Sequence, residues 1–327
     1  MSAKSEIPYT SSEVEHFKCI VFDTETTGLP TPLLDENGDP VFKSPGKKIY
    51  IQPRVVQLGY VVYDTANPEN IKIVDTLIDI AEDVQISKQA SEVTGITRET
   101  IFNAPSDKKT SISNALETFL NDMSDCNYIV AHNVDFDKRV MFSELGKLED
   151  GDLKTRGIAL FDEITNSNKW VCTMKPNIQV CQLQTPKQRE LDERLIREGK
   201  APKKYYKFPK LSDTYKKYFG YEPVSSELHD AIIDVILCLR VFIRYKTGRD
   251  ICGENRVITN YIERITPSEF PLSDNCPIEE DPSVILKGGK RRRSIITKRK
   301  RTYRKKSKRK SKMNRKTKRK IKKHNKR

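Results

Sequence analysis

An apolar run closed by two acids constrains this chain more than any other feature. Residues 17–22, Phe-Lys-Cys-Ile-Val-Phe, read as a buried strand, and Asp23-Thr24-Glu25-Thr26-Thr27-Gly28 follows directly. Side chains two apart on a strand share a face, so Asp23 and Glu25 are expected to project together. Gly28 is free to bring backbone close to a ligand. A lone Asp-x-Glu is more often a solvated strand end. An acidic pair that closes an apolar strand and runs into Thr-Thr-Gly is much more specific.

Two further acidic motifs follow. Ile129-Val130-Ala131-His132-Asn133-Val134-Asp135-Phe136-Asp137 reads as a strand over 128–131 turning into a helix over 134–145, with Phe136, Val140 and Leu145 inward. Asp135 and Asp137 are roughly 200° apart on that helix, so the two do not face one site together. Asp137 is assigned inward and Asp135 to solvent. His132 and Asn133 read first as junction residues that hydrogen-bond the turn, and second as substrate contacts. The third motif is His229-Asp230-Ala231-Ile232-Ile233-Asp234. It opens an amphipathic helix expected to be capped by Ser225 or Ser226, with Leu228, Ile232, Ile233, Ile236, Leu239 and Phe242 as its stripe. His229 and Asp234 are about 140° apart on a regular helix. Asp234 therefore projects from the helix, while His229 falls at its start or in the preceding loop. Four carboxylates and one imidazole suit a site that binds two divalent metals and hydrolyses a phosphodiester.

Phe22-Asp23-Thr24-Glu25-Thr26-Thr27-Gly28-Leu29, His132-Asn133-x-x-Phe136-Asp137 and His229-x-x-x-x-Asp234 together resemble the DnaQ-like DEDDh 3′→5′ exonucleases. In that family the second ligand follows the aromatic residue, which favours Asp137 over Asp135. Pro53 to Gly59, Gly95-Ile96-Thr97, Cys172 to Lys175 and Phe208 to Leu211 are similar to other segments of the family, although Thr94 stands where a His is common. The resemblance implies a ribonuclease H-like α/β fold, a mixed β-sheet flanked by helices. It implies two Mg²⁺ or Mn²⁺ ions on Asp23, Glu25, Asp137 and Asp234, with His229 as general base. It also implies contacts to the terminal nucleotide from Thr26, Thr27, Gly28 and Leu29, with 5′-mononucleotides as products.

Charge divides the chain. Residues 290–327 carry 24 Lys plus Arg and no acid, which leaves 36 of the 60 basic residues against all 45 acids in 1–289. With so few apolar residues the tail is expected to be disordered, after a hinge at Gly288-Gly289. Lys290, Arg291, Arg292, Arg293, Lys305 and Lys306 are candidates for sequence-independent phosphate contacts. The tail also reads as a nuclear or nucleolar address, or as a solvated extension. In composition it is similar to tails of proteins from large DNA viruses. The organisation expected is an extension over 1–15, an exonuclease domain over 16–247, a linker over 248–289 with one possible short helix, and the tail over 290–327. Residues 30–52 read as a loop in which Lys47, Lys48 and Tyr50 are candidates for single-strand contacts. Residues 184–204 read as a charged insertion with a surface helix over 189–197. Lys203, Lys204, Tyr205 and Tyr206 are secondary candidates for DNA contact.

Seven cysteines without a C-x-x-C pair argue against a zinc site or a disulfide framework, and Cys19 and Cys238 read as buried thiols. No signal-peptide or membrane-length apolar run is visible. The expectation is an intracellular protein, in the nucleus, a nucleoid, or a virion or viral factory, that acts on nucleic acid without a membrane or a small-molecule cofactor. A polymerase or repair complex would be engaged in trans. DNA is the first expected substrate and RNA trimming the alternative. A packaging protein with an inactive nuclease fold is the alternative from another class, and four mutually repelling carboxylates argue against it.

Overall fold

The computed structural model of the chain describes residues 16–203, 205–224, 228 and 230–270. Its strands in chain order are β1 (Lys18–Thr26), β2 (Thr31–Pro32), β3 (Phe42–Ser44), β4 (Lys47–Lys48), β5 (Tyr50–Ile51), β6 (Val55–Asp64), β7 (Lys72–Ile78), β8 (Lys109–Thr110), β9 (Tyr128–Ala131) and β10 (Trp170–Cys172). Its helices are α1 (Lys88–Thr94), α2 (Arg98–Asn103), α3 (Ile112–Met123), α4 (Val134–Lys147), α5 (Asp152–Asn166), α6 (Ile178–Cys181), α7 (Pro186–Arg197), α8 (Leu211–Phe219), α9 (Ala231–Thr247) and α10 (Arg256–Ile265).

Six strands form one mixed sheet in the order β10-β9-β1-β6-β7-β8. β1 is central, antiparallel to β6 and parallel to β9. Its alternation divides the core. Ile20 and Phe22 face one apolar layer with α3, α4 and α5, while Cys19 and Val21 face a second with α9 and α10. Each such side chain contributes about 1.5–3 kcal/mol by leaving water. The same parity puts Asp23 and Glu25 on the α9 side of the sheet. The arrangement is the expected mixed sheet flanked by helices.

Local chemistry explains the smaller elements. Gly95 ends α1 in the left-handed region (φ 72°), Ile96 is buried, and the Thr97 side chain caps α2 through the Thr100 amide. Gly-Ile-Thr is thus a helix stop, a plug and a helix start. Thr185 caps α7 in the same way, with Gln188 completing a capping box.

Three expectations change. α9 is not amphipathic. Every residue from Ala231 to Ile243 except Asp234 is buried, because its outer face, with Ile233, Leu237 and Val241, lies under α8 and α10. Its cap is Asp230, whose side chain accepts from the Ile232 amide at 3.0 Å, rather than Ser225 or Ser226. Residues 30–52 are not a plain loop but two short antiparallel ribbons, β2 with β5 and β3 with β4. Pro45-Gly46 turns β3 into β4, and Asn37-Gly38 turns the chain at the Leu34–Pro40 bridge, with glycines at φ 76° and 84°. Ile251, Ile258 and Ile262 join the α9 core, and α10 falls in the segment for which the sequence allowed one short helix.

The largest fully buried side chain on α9 is charged. Arg240 forms a two-pronged pair with Asp250, Nε to Oδ1 at 2.8 Å and Nη2 to Oδ2 at 2.7 Å, and donates to the Tyr215 and Tyr221 hydroxyls. Its guanidinium also lies 4.1 Å from the Phe219 ring. Burial alone would lower its pKa, but Asp250 and the tyrosines outweigh that and raise it. No helix among the described residues is long and apolar enough to cross a membrane.

Candidate active site

Asp23, Glu25 and Asp234 offer carboxylate oxygens that all lie within 4.8 Å of one another. Two elements produce this. β1 presents Asp23 and Glu25 on the α9 side, and α9 delivers Asp234 one turn from its cap. The approach is close because β6 carries Gly59 opposite Asp23. A Cβ built on Gly59 would lie 2.9 Å from both the carbonyl carbon and the Cβ of Ala231. A glycine inside a strand marks such an approach. Gly59→Val is expected to displace the first turn of α9 and Asp234 with it. Cleavage should fall by on the order of 10²-fold, as a shift of about 1 Å near the chemistry does. Loss of Mn²⁺ stabilisation in thermal unfolding would report the same displacement without reference to turnover.

Asp137 approaches from the other layer. It is buried on the first turn of α4, and its Oδ1 accepts from Thr24 twice, from the amide at 3.3 Å and from the hydroxyl at 2.8 Å. Thr24 lies between the two acids of β1 and faces the opposite way, so the strand that carries one pair of carboxylates also holds the third acid. Burial, with the neighbouring charges of Asp137, Asp234 and Glu25, pushes the Asp23 carboxyl well up. Burial, with Asp234, Asp137 and the capping Asp230, pushes Glu25 up to about 7. Burial also raises Asp137 to about 7, although the Thr24 hydrogen bonds pull the other way. Concentrated, partly dehydrated negative charge of this kind fits hard divalent cations, which take oxygen ligands.

Asp135 points away from the cluster and pairs with Lys175. His132 has both ring nitrogens engaged. The Pro209 carbonyl only accepts, so Nε2 donates to it at 3.1 Å, and Nδ1 accepts from the Thr173 hydroxyl at 2.9 Å. Burial lowers its pKa to about 4, so it is neutral near pH 7. These bonds are those of the junction role. Asn133 caps α4 with its backbone in the left-handed region (φ 70°) and no side-chain cap bond. Cys172–Lys175 and Phe208–Leu211 thereby acquire a purpose, since both segments close on the His132–Asp135 junction.

After Glu25 the chain is clasped. Thr27 N donates to Arg54 O at 2.9 Å, Arg54 N donates to Thr27 Oγ1 at 3.0 Å, and Ser87 N donates to Thr27 O at 2.9 Å. Arg54 is itself held by the buried Glu144, Nε to Oε1 at 2.8 Å and to Oε2 at 3.0 Å. The Thr26 hydroxyl donates to the Gly28 carbonyl at 2.7 Å, and Leu29 stands in solvent at 72% exposure. Thr24, Gly59 and the Arg54–Glu144 pair are the positioning residues that sequence reasoning missed. His229 immediately precedes the α9 cap and lies outside the described residues, as do Lys204, Ser225, Ser226 and the whole of 290–327.

One strand and two helices converge four carboxylates at one end of a mixed α/β sheet, an acidic donor set suited to hard divalent cations. Residues 20–242 match the exonuclease family (RNase T), and the chain belongs to that family. No curated protein matches the sequence. Among solved structures, the chain is similar to a 3′-exonuclease recognising the 3′ end of a histone mRNA stem-loop, at 12% identity and TM-score 0.41, over 71% of this chain and 64% of that one. It is similar to cell-death related nuclease 4, at 14% identity and TM-score 0.38, over 71% and 64% of the two chains. It is also similar to the E. coli exonuclease I complex with single-stranded DNA, at 17% identity and TM-score 0.42, over 71% and 42%. The chain thus spans less than two thirds of the length of each of these proteins.

Proposed function

We propose that this protein is a metal-dependent 3′→5′ exonuclease that shortens DNA from single-stranded or frayed 3′ ends and releases 5′-mononucleotides. The observation that carries the reading is the convergence of Asp23, Glu25 and Asp234 within 4.8 Å, with Asp137 buried beside them. Two Mg²⁺ or Mn²⁺ ions on these four carboxylates would supply Lewis acidity at the phosphate and a nucleophilic water at neutral pH. Asp23 and Glu25 share a rigid central strand, so their spacing is set before substrate arrives. Thr24 fixes the orientation of Asp137. The clasp at Thr27 holds the backbone of Thr26 to Leu29 where a terminal nucleotide would meet it. His229, from the segment leading into the Asp230 cap, takes the proton of the attacking water in this reading. The arm over 290–327 holds the polymer through its phosphates.

Comparison of the two acids on α4 tests the assignment. Asp137→Asn is expected to lower the single-turnover rate by more than about 10³-fold. Asp135→Asn, which breaks only the exposed pair with Lys175, should stay within about threefold. The reverse order would show that the buried acid is not part of the machinery.

A further inference from the structure

Between the first two strands of the sheet the chain makes an excursion that the carboxylate site does not use. It leaves at Gly28 and returns at Gln52, and both ends meet at the Thr27–Arg54 clasp. The excursion is therefore rooted two residues beyond Glu25, on a base that Glu144 holds firm. Its own backbone is knitted as a ribbon, with Leu33 N donating to Ile49 O, Val41 N to Leu33 O and Ile49 N to Val41 O. A segment this well ordered would be expected to bury its apolar residues. Instead Phe42 is 50% exposed and Tyr50 is 49% exposed.

The register shows what the exposed side chains form. Lys48 pairs across from Phe42, and Tyr50 pairs across from Pro32. Directly opposed residues of an antiparallel pair share a face, and so do residues two apart along a strand. Phe42 and Lys48 therefore share a face of one ribbon, and Tyr50, exposed as well, lies two residues beyond Lys48 in the other ribbon, so two aromatics and a cation stand exposed within a short stretch of chain. Lys43 and Lys47 are exposed at the same tip, and no acid occurs between Val41 and Arg54. The excursion's acids, Asp35, Glu36 and Asp39, are confined to the other turn.

We infer that this ribbon is an arm that holds single-stranded nucleic acid upstream of the 3′ end, with bases stacked on Phe42 and Tyr50 and the phosphate backbone on Lys48 and its neighbouring lysines. Aromatic faces accept any base, and lysines supply the salt-dependent, sequence-independent part of the affinity. The inference rests on the nuclease reading for the direction of the strand. It supplies what the acidic site lacks, a surface attractive to a polyanion next to carboxylates that repel one.

The test uses the full chain. A 5-iododeoxyuridine-substituted dT20 strand is cross-linked to the protein in EDTA, and the modified peptides are mapped. Steady-state cleavage of a 20-nucleotide strand and of a trinucleotide is measured beside it. Cross-links at Phe42 or Tyr50 are expected. Phe42→Ala/Tyr50→Ala should raise KM for the long strand about tenfold, with less than about a twofold change for the trinucleotide. Lys48→Glu should raise the same KM and flatten its salt dependence. Cross-links that avoid the ribbon, or an unchanged KM for the long strand, would overturn the arm. A drop in oligomeric mass on substitution would overturn it too, by making the face a contact between copies. Cross-linking to the ribbon by a wild-type protein that cleaves neither strand would instead break the nuclease reading and leave the arm standing.

Discussion

Asp23→Asn is expected to abolish cleavage, by more than about 10³-fold, and at the same time to stabilise the metal-free protein at about pH 8. The two effects share one cause. Burial and three neighbouring carboxylates push the Asp23 carboxyl well above its ordinary range, and burial foremost carries Glu25 and Asp137 up to about 7. Carboxyls unfold to values near 4. Between about pH 4 and 7 the folded protein therefore binds more protons than the unfolded chain, and its stability falls as pH rises through that window. Above it, Glu25 and Asp137 are both charged in the metal-free site and repel their acidic neighbours. A neutral isostere at position 23 relieves part of that, on the order of 1–3 kcal/mol, or several degrees in Tm for a domain of this size. Divalent cations should do the same for the wild type at about pH 8 and much less at about pH 5. Thermal unfolding at both pH values, with Mg²⁺ or EDTA, reads all of this. An Asp23→Asn protein that melts earlier than wild type in EDTA at about pH 8 would show that the cluster is not repulsive.

Asp250→Ala should destabilise the fold by about 3–5 kcal/mol, because it leaves the Arg240 guanidinium buried without its carboxylate. The side chains involved are 1% and 7% exposed, so water does not compensate the charge. Tyr215 and Tyr221 remain as neutral acceptors and cannot replace it. At about 2–4 °C per kcal/mol, Tm should fall by roughly 10 °C. Arg240→Met, which removes the charge along with its need for a partner, should cost less than Asp250→Ala. The opposite ranking would mean that the guanidinium serves mainly by packing on Phe219.

The site was legible in the sequence to the extent that it depends on local geometry. Asp23 and Glu25 share a face because strands alternate; helix divergence means that only one of Asp135 and Asp137 faces the site, and the resemblance favours Asp137, which is the buried one. Cys19 and Cys238 are buried free thiols, as their apolar surroundings suggested. What escaped depends on packing between elements and on where each element begins. The burial of α9 on its outer face requires α8 and α10, which lie on either side of it in the chain. Asp230 caps α9 in place of a serine because the helix begins later than its apolar pattern suggests. Gly59 carried a signal, a glycine within an apolar strand, but only the approach of Ala231 gives it a reason. The ribbons over 30–52 were announced by Asn37-Gly38 and Pro45-Gly46, and were masked by a composition that reads as loop.

The most direct test of the central claim is digestion of a single-stranded DNA labelled at its 5′ end, in Mg²⁺, beside the same strand labelled at its 3′ end and an Asp23→Asn control. A 5′-labelled ladder that shortens from the 3′ end and immediate release of the 3′ label as a mononucleotide are expected, with neither in the control. Internal cuts, release of the 5′ label first, or the same ladder from Asp23→Asn would contradict it.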